Sequence, residues 1–132
     1  MLLKITKRKS MDNLKNPFND KRYYSRYKVL LPGRVGDGKG IIVDAEIIDI
    51  SIGGARIKID QIIPISVGEL IYLLIKWKRS IKVKGIIKWI NKKGNFLEFG
   101  IQFVEVPMDT VQDLSDLVSE YALSKLTDEY AK

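Results

Sequence analysis

From Tyr27 to Phe103 apolar and polar residues alternate in short runs broken by turn formers, the period-two pattern of strands with one wet face. Tyr27, Val29 and Leu31 alternate with Lys28 and Leu30 until Pro32-Gly33 interrupts the run. Gly36-Asp37-Gly38-Lys39-Gly40 reads as a hairpin tip. It leads into a second strand, Ile41 to Ile50, with Val43, Ala45 and Ile47 on one face and Asp44 and Glu46 on the other. Ile52-Gly53-Gly54 is a tight turn, after which Ala55, Ile57 and Ile59 alternate with Arg56, Lys58 and Asp60. A loop with Pro64 and Gly68 precedes Leu70 to Trp77, apolar enough to be buried on both faces or partly at an interface. Lys78-Arg79-Ser80 turns the chain into a strand with Ile81, Val83, Gly85, Ile87 and Trp89 on one side and Lys82, Lys84 and Lys88 opposite. After a turn at Asn91 to Asn95, Leu97, Phe99, Ile101 and Phe103 alternate with Glu98, Gly100 and Gln102.

The period then lengthens. Val111, Leu114, Leu117, Val118 and Tyr121 fall at three- and four-residue spacing and predict a helix over about 108–126. Pro107 stands ahead of it, Thr110 and Asp113 are placed as a capping-box variant, and Asp109 suits the positive end of the helix dipole. Its apolar stripe is expected to close an open end or side of the sheet, a partner-binding helix being the alternative. Six short strands and one helix predict an all-β fold, a six-stranded antiparallel β-barrel with a C-terminal helix, because closure removes exposed strand edges. The barrel domain is expected over residues 20–128, preceded by a basic, flexible arm over 1–19.

At 132 residues the chain is long enough for one core. It has no cysteine and no histidine, which excludes disulfides, a thiolate nucleophile, an imidazole base and the usual zinc sites. No nucleophile and base stand together as a unit, so an enzyme is not expected, nor a cofactor. Asp44 and Glu46 alone are too few oxygen ligands for a hard cation. The net charge of +7 is uneven: residues 1–28 hold nine Lys or Arg against two Asp, so the remainder sums to zero. Such a basic end points to an anionic partner. No apolar run reaches the length of a secretory signal or a membrane span, which predicts a cytoplasmic protein.

Two segments carry the chemistry. Lys21-Arg22-Tyr23-Tyr24-Ser25-Arg26 holds two arginines four apart, and Asp49-Ile50-Ser51-Ile52-Gly53-Gly54 holds a carboxylate, a hydroxyl and a glycine. Each guanidinium presents a rigid fork of donors that fits phosphate oxygens or the O6 and N7 edge of guanine. The Asp49 carboxylate only accepts and suits the N–H groups of a guanine's other edge, while Ser51 donates or accepts and Gly54 permits close backbone approach or a positive φ.

The pair R-x-x-x-R and D-x-S-x-x-G resembles the signature of the PilZ domain, the bacterial receptor module for cyclic di-GMP. Phe99-Gly100-Ile101-Gln102-Phe103 is also similar to the last strand of such domains. The resemblance implies a barrel over which the arginine segment wraps to meet the D-x-S-x-x-G turn. It implies cyclic di-GMP as ligand, with Arg22, Arg26, Asp49, Ser51 and Gly54 as ligand-binding residues. Binding would order the arginine segment and be relayed to a downstream protein partner in trans, since no output domain is read in the sequence. Lys21 is placed to influence whether one or two ligand molecules bind. Two rival readings stand beside this one: a basic barrel that binds single-stranded nucleic acid, and a PilZ-like interaction protein that binds no nucleotide. Against nucleic acid, Tyr23, Tyr24 and Tyr27 cluster in the arm, and Trp77 and Trp89 lie on apolar faces that suggest core.

Overall fold

Along most of the six strands every second residue is apolar, and closing the sheet turns those residues into one interior. The computed structural model describes residues 25–130, with side chains up to 124. Its strands are β1 (Tyr27–Gly36), β2 (Ile42–Ile50), β3 (Gly54–Ile59), β4 (Leu70–Lys76), β5 (Ser80–Lys93) and β6 (Phe96–Val104), followed by helix α1 (Met108–Tyr130). All pairings are antiparallel, and the order β1-β2-β3-β6-β5-β4 closes on itself through β4 and β1. Ile47, Ile57, Ile71, Ile75, Ile87 and Phe99 are fully buried in the interior. The predicted six-stranded barrel with a C-terminal helix is the observed fold.

The helix supplies the last of the core. Leu114 and Leu117 are fully buried, and Val118 and Tyr121 pack against the same cluster. α1 lies against β1 and β5. It is fastened at the β4–β5 turn, where Arg79 Nη1 donates to Asp113 at 2.8 Å and Asp116 at 3.3 Å and Lys78 pairs with Glu120. Asp109 sits in the first turn as expected, accepting from the Thr110 N–H at 2.8 Å. The capping box between Thr110 and Asp113 does not form, because the helix begins at Met108 and Asp113 is taken by Arg79. The helix runs to Tyr130, a turn beyond the predicted end.

Four other expectations need correction. Pro32-Gly33 does not interrupt the first strand: Pro32 pairs with β2 just before the β4 register begins at Gly33. Gly33 is there for close approach, since a Cβ would lie 2.3 Å from the Leu74 carbonyl oxygen. β4 is buried on one face only, with Leu70 and Tyr72 exposed. The turn at Asn91 to Asn95 shrinks to Gly94-Asn95, because Lys93 pairs with Phe96 and Gly94 takes a φ of 64°. Trp89 is not on the core face. An extra residue at Lys88 breaks the register between Ile87 and Trp89, so Trp89 turns outward opposite Gly100 while Ile90 faces Phe99.

Candidate functional site

The hairpin β2–β3 builds the first half of the site. Ser51 is buried, and its Oγ accepts from the N–H groups of Gly53 and Gly54, both at 3.1 Å. The Ser51 N–H donates to the Gly54 carbonyl at 2.9 Å, which closes the turn. The hydroxyl's own proton reaches that same carbonyl only at 3.4 Å, a long contact that leaves it available to a stronger acceptor. Gly54 serves close approach rather than a positive φ: a Cβ there would meet the Ile101 carbonyl oxygen at 2.4 Å.

With the turn so set, Asp49 falls opposite Arg56 across the hairpin. β2 carries an extra residue, Ile48, between the pairs Ile47–Ile57 and Asp49–Arg56, and this bulge aims Asp49 at the outer wall. Asp49 Oδ2 and Arg56 Nε approach to 3.1 Å, with the two side chains 13% and 33% exposed. The N–H does not align along that line, so Arg56 Nε and Asp49 Oδ1 are both buried without a hydrogen-bond partner. Buried polar atoms are nearly always paired, so these two, on side chains already in ion-pair contact, stand out on the wall.

The neighbouring strands extend the row. β1 places Lys28 opposite Asp49 and Tyr27 opposite Ile50, so Arg26, exposed and one residue ahead of β1, comes to the level of Ser51. On the other side Arg56 pairs with Gly100, and Gly100 with Trp89. The indole lies on Gly100, where a Cβ would sit 2.2 Å from Nε1. The outer wall thus presents Lys28, Asp49, Arg56 and the Trp89 indole in sequence across five strands.

Of the predicted site residues, Arg26, Asp49, Ser51 and Gly54 come together here, while Arg22 lies outside the described residues. Arg56 and Trp89 were missed. Arg56 was legible in principle, because folding the hairpin about Ser51 and Gly54 sets it against Asp49. Trp89 was not, because its position depends on a bulge.

Elsewhere on the barrel a groove of about 600 Å³ runs over β1, β4 and β5 between Arg34, Tyr72 and Lys84. Two of its three cations are already matched: Arg34 lies 3.3 Å from Asp44, and Lys84 lies 2.6 Å from Glu105, which holds the lysine above its ordinary range. Among the described residues no group of three or more side chains is placed to hold a metal ion, and no helix is long and apolar enough to cross a membrane.

Fold and site define a small closed antiparallel barrel, capped by one helix, with a charged and aromatic row on its outer wall. The chain belongs to the PilZ domain family, whose model matches residues 20–120. Solved structures of the same fold include the Bacillus subtilis inhibitor of motility MotI/DgrA, with a TM-score of 0.69 and 18% identity over 79% of this chain and 52% of that one. The PilZ domain of Escherichia coli YcgR with cyclic di-GMP superposes at 0.69 with 12% identity, covering 85% of this chain and 98% of that one. The K. pneumonia MrkH complex with cyclic di-GMP gives 0.66 with 17% identity over 81% and 55%. The chain therefore spans about half the length of MotI/DgrA and MrkH and nearly all of the YcgR domain. No curated protein sequence matches the chain closely enough to count as a relative.

Proposed function

We propose that this chain is a cyclic di-GMP receptor that passes the signal to a partner protein. One observation carries the reading: in a PilZ-family barrel, the motif carboxylate Asp49 is aimed at the outer wall with Oδ1 buried and unpartnered, and the motif arginine Arg26 stands one residue ahead of β1, at the level of Ser51. Arg22 and Arg26 clamp the ligand's phosphates with charge-assisted bonds, Asp49 accepts from the N–H groups of a guanine, and the Ser51 hydroxyl turns from its long contact toward the ligand. Gly54 keeps the turn low enough for the ligand to pass over it. Drawing both arginines onto the phosphates fixes the segment ahead of β1 against the barrel, and a partner that distinguishes the two arrangements reads the signal.

Trp89 on the outer wall removes one argument against the nucleic-acid reading, but one indole lying on Gly100 is not the repeated stacking platform that a single strand needs. Calorimetric titration with cyclic di-GMP decides the matter, with GTP and a short single-stranded oligonucleotide as controls. Binding of cyclic di-GMP alone, lost in Arg22→Ala and in Arg26→Ala, is expected. Wild-type affinity in both variants, or salt-sensitive binding of the oligonucleotide with silence toward cyclic di-GMP, sinks the reading.

A further inference from the structure

The stretch from Leu70 to Leu97, β4 and β5 with the turn into β6, is unlike the rest of the barrel in charge. It holds eight Lys or Arg and no Asp or Glu, a net of +8 in a chain whose total is +7. Four of the eight are paired with acids from outside the stretch: Lys78 with Glu120, Arg79 with Asp113 and Asp116, Lys84 with Glu105, and Lys93 with Glu98. Lys76, Lys82, Lys88 and Lys92 are exposed and have no acidic partner among the described residues. In the closed strand order β4 stands across the barrel from β3, so this face is turned away from the wall that carries Asp49 and Arg56.

The groove over β1, β4 and β5 lies on this face, and its make-up is regular. Leu74 stands between Arg34 of β1 and Lys82 of β5, and Tyr72 between Gly36 and Lys84. The outward side chains of β4, from Leu70 through Tyr72 and Leu74 to Lys76, recur every second residue over a length of about 20 Å. The floor is therefore mainly apolar, and its rims are cationic. Tyr72 is half-exposed, yet its ring lies on the β1–β2 hairpin tip, where a Cβ on Gly38 would be 3.0 Å from Cε2. The ring is thus held in place without being covered. At the end of β6, Glu105 takes a φ of 51° and turns the chain so that Val106 and Pro107 line the groove as well. The acids already present do not neutralise the rims: Asp44 and Glu105 are both mostly solvent-exposed, and surface pairs of that kind contribute little.

An occupant has to offer anionic groups to the rims and apolar groups to the floor at the same time. A bilayer surface takes up protruding apolar side chains, whereas these lie in a recess. A nucleic-acid strand needs repeated stacking surfaces, and the floor follows one ring with an aliphatic side chain. A peptide segment meets both conditions. An apolar side chain at every second residue matches the spacing of the floor, and carboxylates between them fall within reach of long lysine and arginine side chains. Such a segment cannot join the sheet, because β4 is paired with β1 and β5 on its two sides from Tyr72 to Ile75, so recognition runs through side chains. We propose that the groove docks an acidic, amphipathic segment of a partner protein, its apolar side chains on Tyr72 and Leu74 and its carboxylates on Arg34, Lys82 and Lys84. The proposal rests on the receptor reading only for the occupant's role as recipient of the signal.

The test selects binders from a displayed library of short random peptides, with the full chain as bait. The enriched peptides are expected to be acidic and to carry apolar residues. One of them, made synthetically, is expected to shift the amide resonances of Gly36, Tyr72, Leu74 and Lys82 rather than those of the β2–β3 turn. Lys82→Glu exchanges an attraction for a repulsion and is expected to weaken that peptide about tenfold. Tyr72→Ala removes the ring from the floor and is expected to weaken it by about the same factor. Lys82 is exposed and stands away from the row that holds Asp49, so its variant should melt with the parent and bind cyclic di-GMP as the parent does. Lys92→Glu, in the same charged stretch but outside the groove, should leave the peptide's affinity unchanged. Enrichment of basic or uncharged peptides, or of none, overturns the proposal. So does parental peptide affinity in both groove variants, or an equal loss in Lys92→Glu. Binding of phosphatidylglycerol vesicles or of a single-stranded oligonucleotide that is lost in Lys82→Glu, with no peptide enriched, overturns it too and gives the face to a membrane or to nucleic acid. Peptide binding by a chain that gives no heat with cyclic di-GMP keeps the groove and overturns the receptor reading instead.

Discussion

Gly54 belongs to the motif that suggests a ligand, yet its geometry assigns it a share of the fold that can be measured without one. A Cβ at this position would stand 2.4 Å from the carbonyl oxygen of Ile101, about 1 Å short of ordinary contact. The obstacle is backbone, so no side chain can rotate away. β3 and β6 must separate by most of that ångström, and the pairs Ala55–Ile101 and Ile57–Phe99 lie on the same ladder with their side chains buried. Forcing extra atoms into such a packed contact costs about 1–3 kcal/mol. Replacing glycine also restrains the unfolded chain and returns about 0.4–1 kcal/mol. Gly54→Ala is therefore expected to lose about 1–2 kcal/mol net, a fall in Tm of roughly 4–10 °C for a domain of this size. Thermal and urea melts followed by circular dichroism measure it. Gly36→Ala is the matched control, since a Cβ there meets nothing closer than 3.5 Å, and its Tm should stay level or rise. If both variants melt together with the parent, the assignment of Gly54 to close strand approach is wrong.

Three further outcomes follow from single contacts. Ser51→Ala strands the two N–H groups that its Oγ accepts and should lose about 1–3 kcal/mol in urea melts, so that any ligand defect in this variant must be measured on protein shown to be folded. Leu117→Ala empties a fully buried site beneath α1 and should cost about 2–5 kcal/mol by the same assay; a loss under 1 kcal/mol would mean the helix is not part of the core. Asp37 accepts from the N–H of Lys39 at 2.8 Å and of Ile41 at 3.0 Å, and chiefly the first of these holds its carboxyl below the ordinary 3.8. A depressed value in the fold stabilises above the unfolded value and is lost as pH falls through the folded one, so Asp37→Ala should be less stable than the parent at neutral pH. The gap should close below about pH 3.8, and a gap that stays constant on acidification contradicts the hydrogen bonds.

What could be read in the chain was whatever a strict period of two or of three to four controls. Inward residues such as Val29, Ile47, Ile57, Val83 and Phe99 were placed correctly because each lies in an uninterrupted alternation, and Leu114 and Leu117 because helical spacing is equally regular. The misplacements within the sheet share one physical origin: partners in neighbouring strands, which no local pattern contains. Trp89 reads as core until the residue inserted at Lys88 is known, and insertion is a property of the pairing with β6. Pro32-Gly33 reads as a break until β2 is seen to pair with Pro32 and Leu74 to lie against Gly33. Gly100 signals that something approaches closely. That the approaching group is an indole is known only from the fold.

The Asp49–Arg56 pair raises a last question, which is why it exists. A contact between half-buried charges with two orphaned polar atoms is poor design for stability: desolvation offsets most of the attraction, and apolar replacements of similar size are often neutral or better. The two positions are directly cross-strand on a sheet, where β-branched residues pack well. The double variant Asp49→Val with Arg56→Val should therefore unfold at no lower urea concentration than the parent. Arg56→Val alone leaves a carboxylate only 13% exposed without its cation and should lose about 1–3 kcal/mol. That asymmetry, together with loss of cyclic di-GMP binding in both variants, is what a pair kept for a ligand predicts. A double variant less stable than Arg56→Val would instead make the pair a structural tie, and the orphaned atoms would need another explanation.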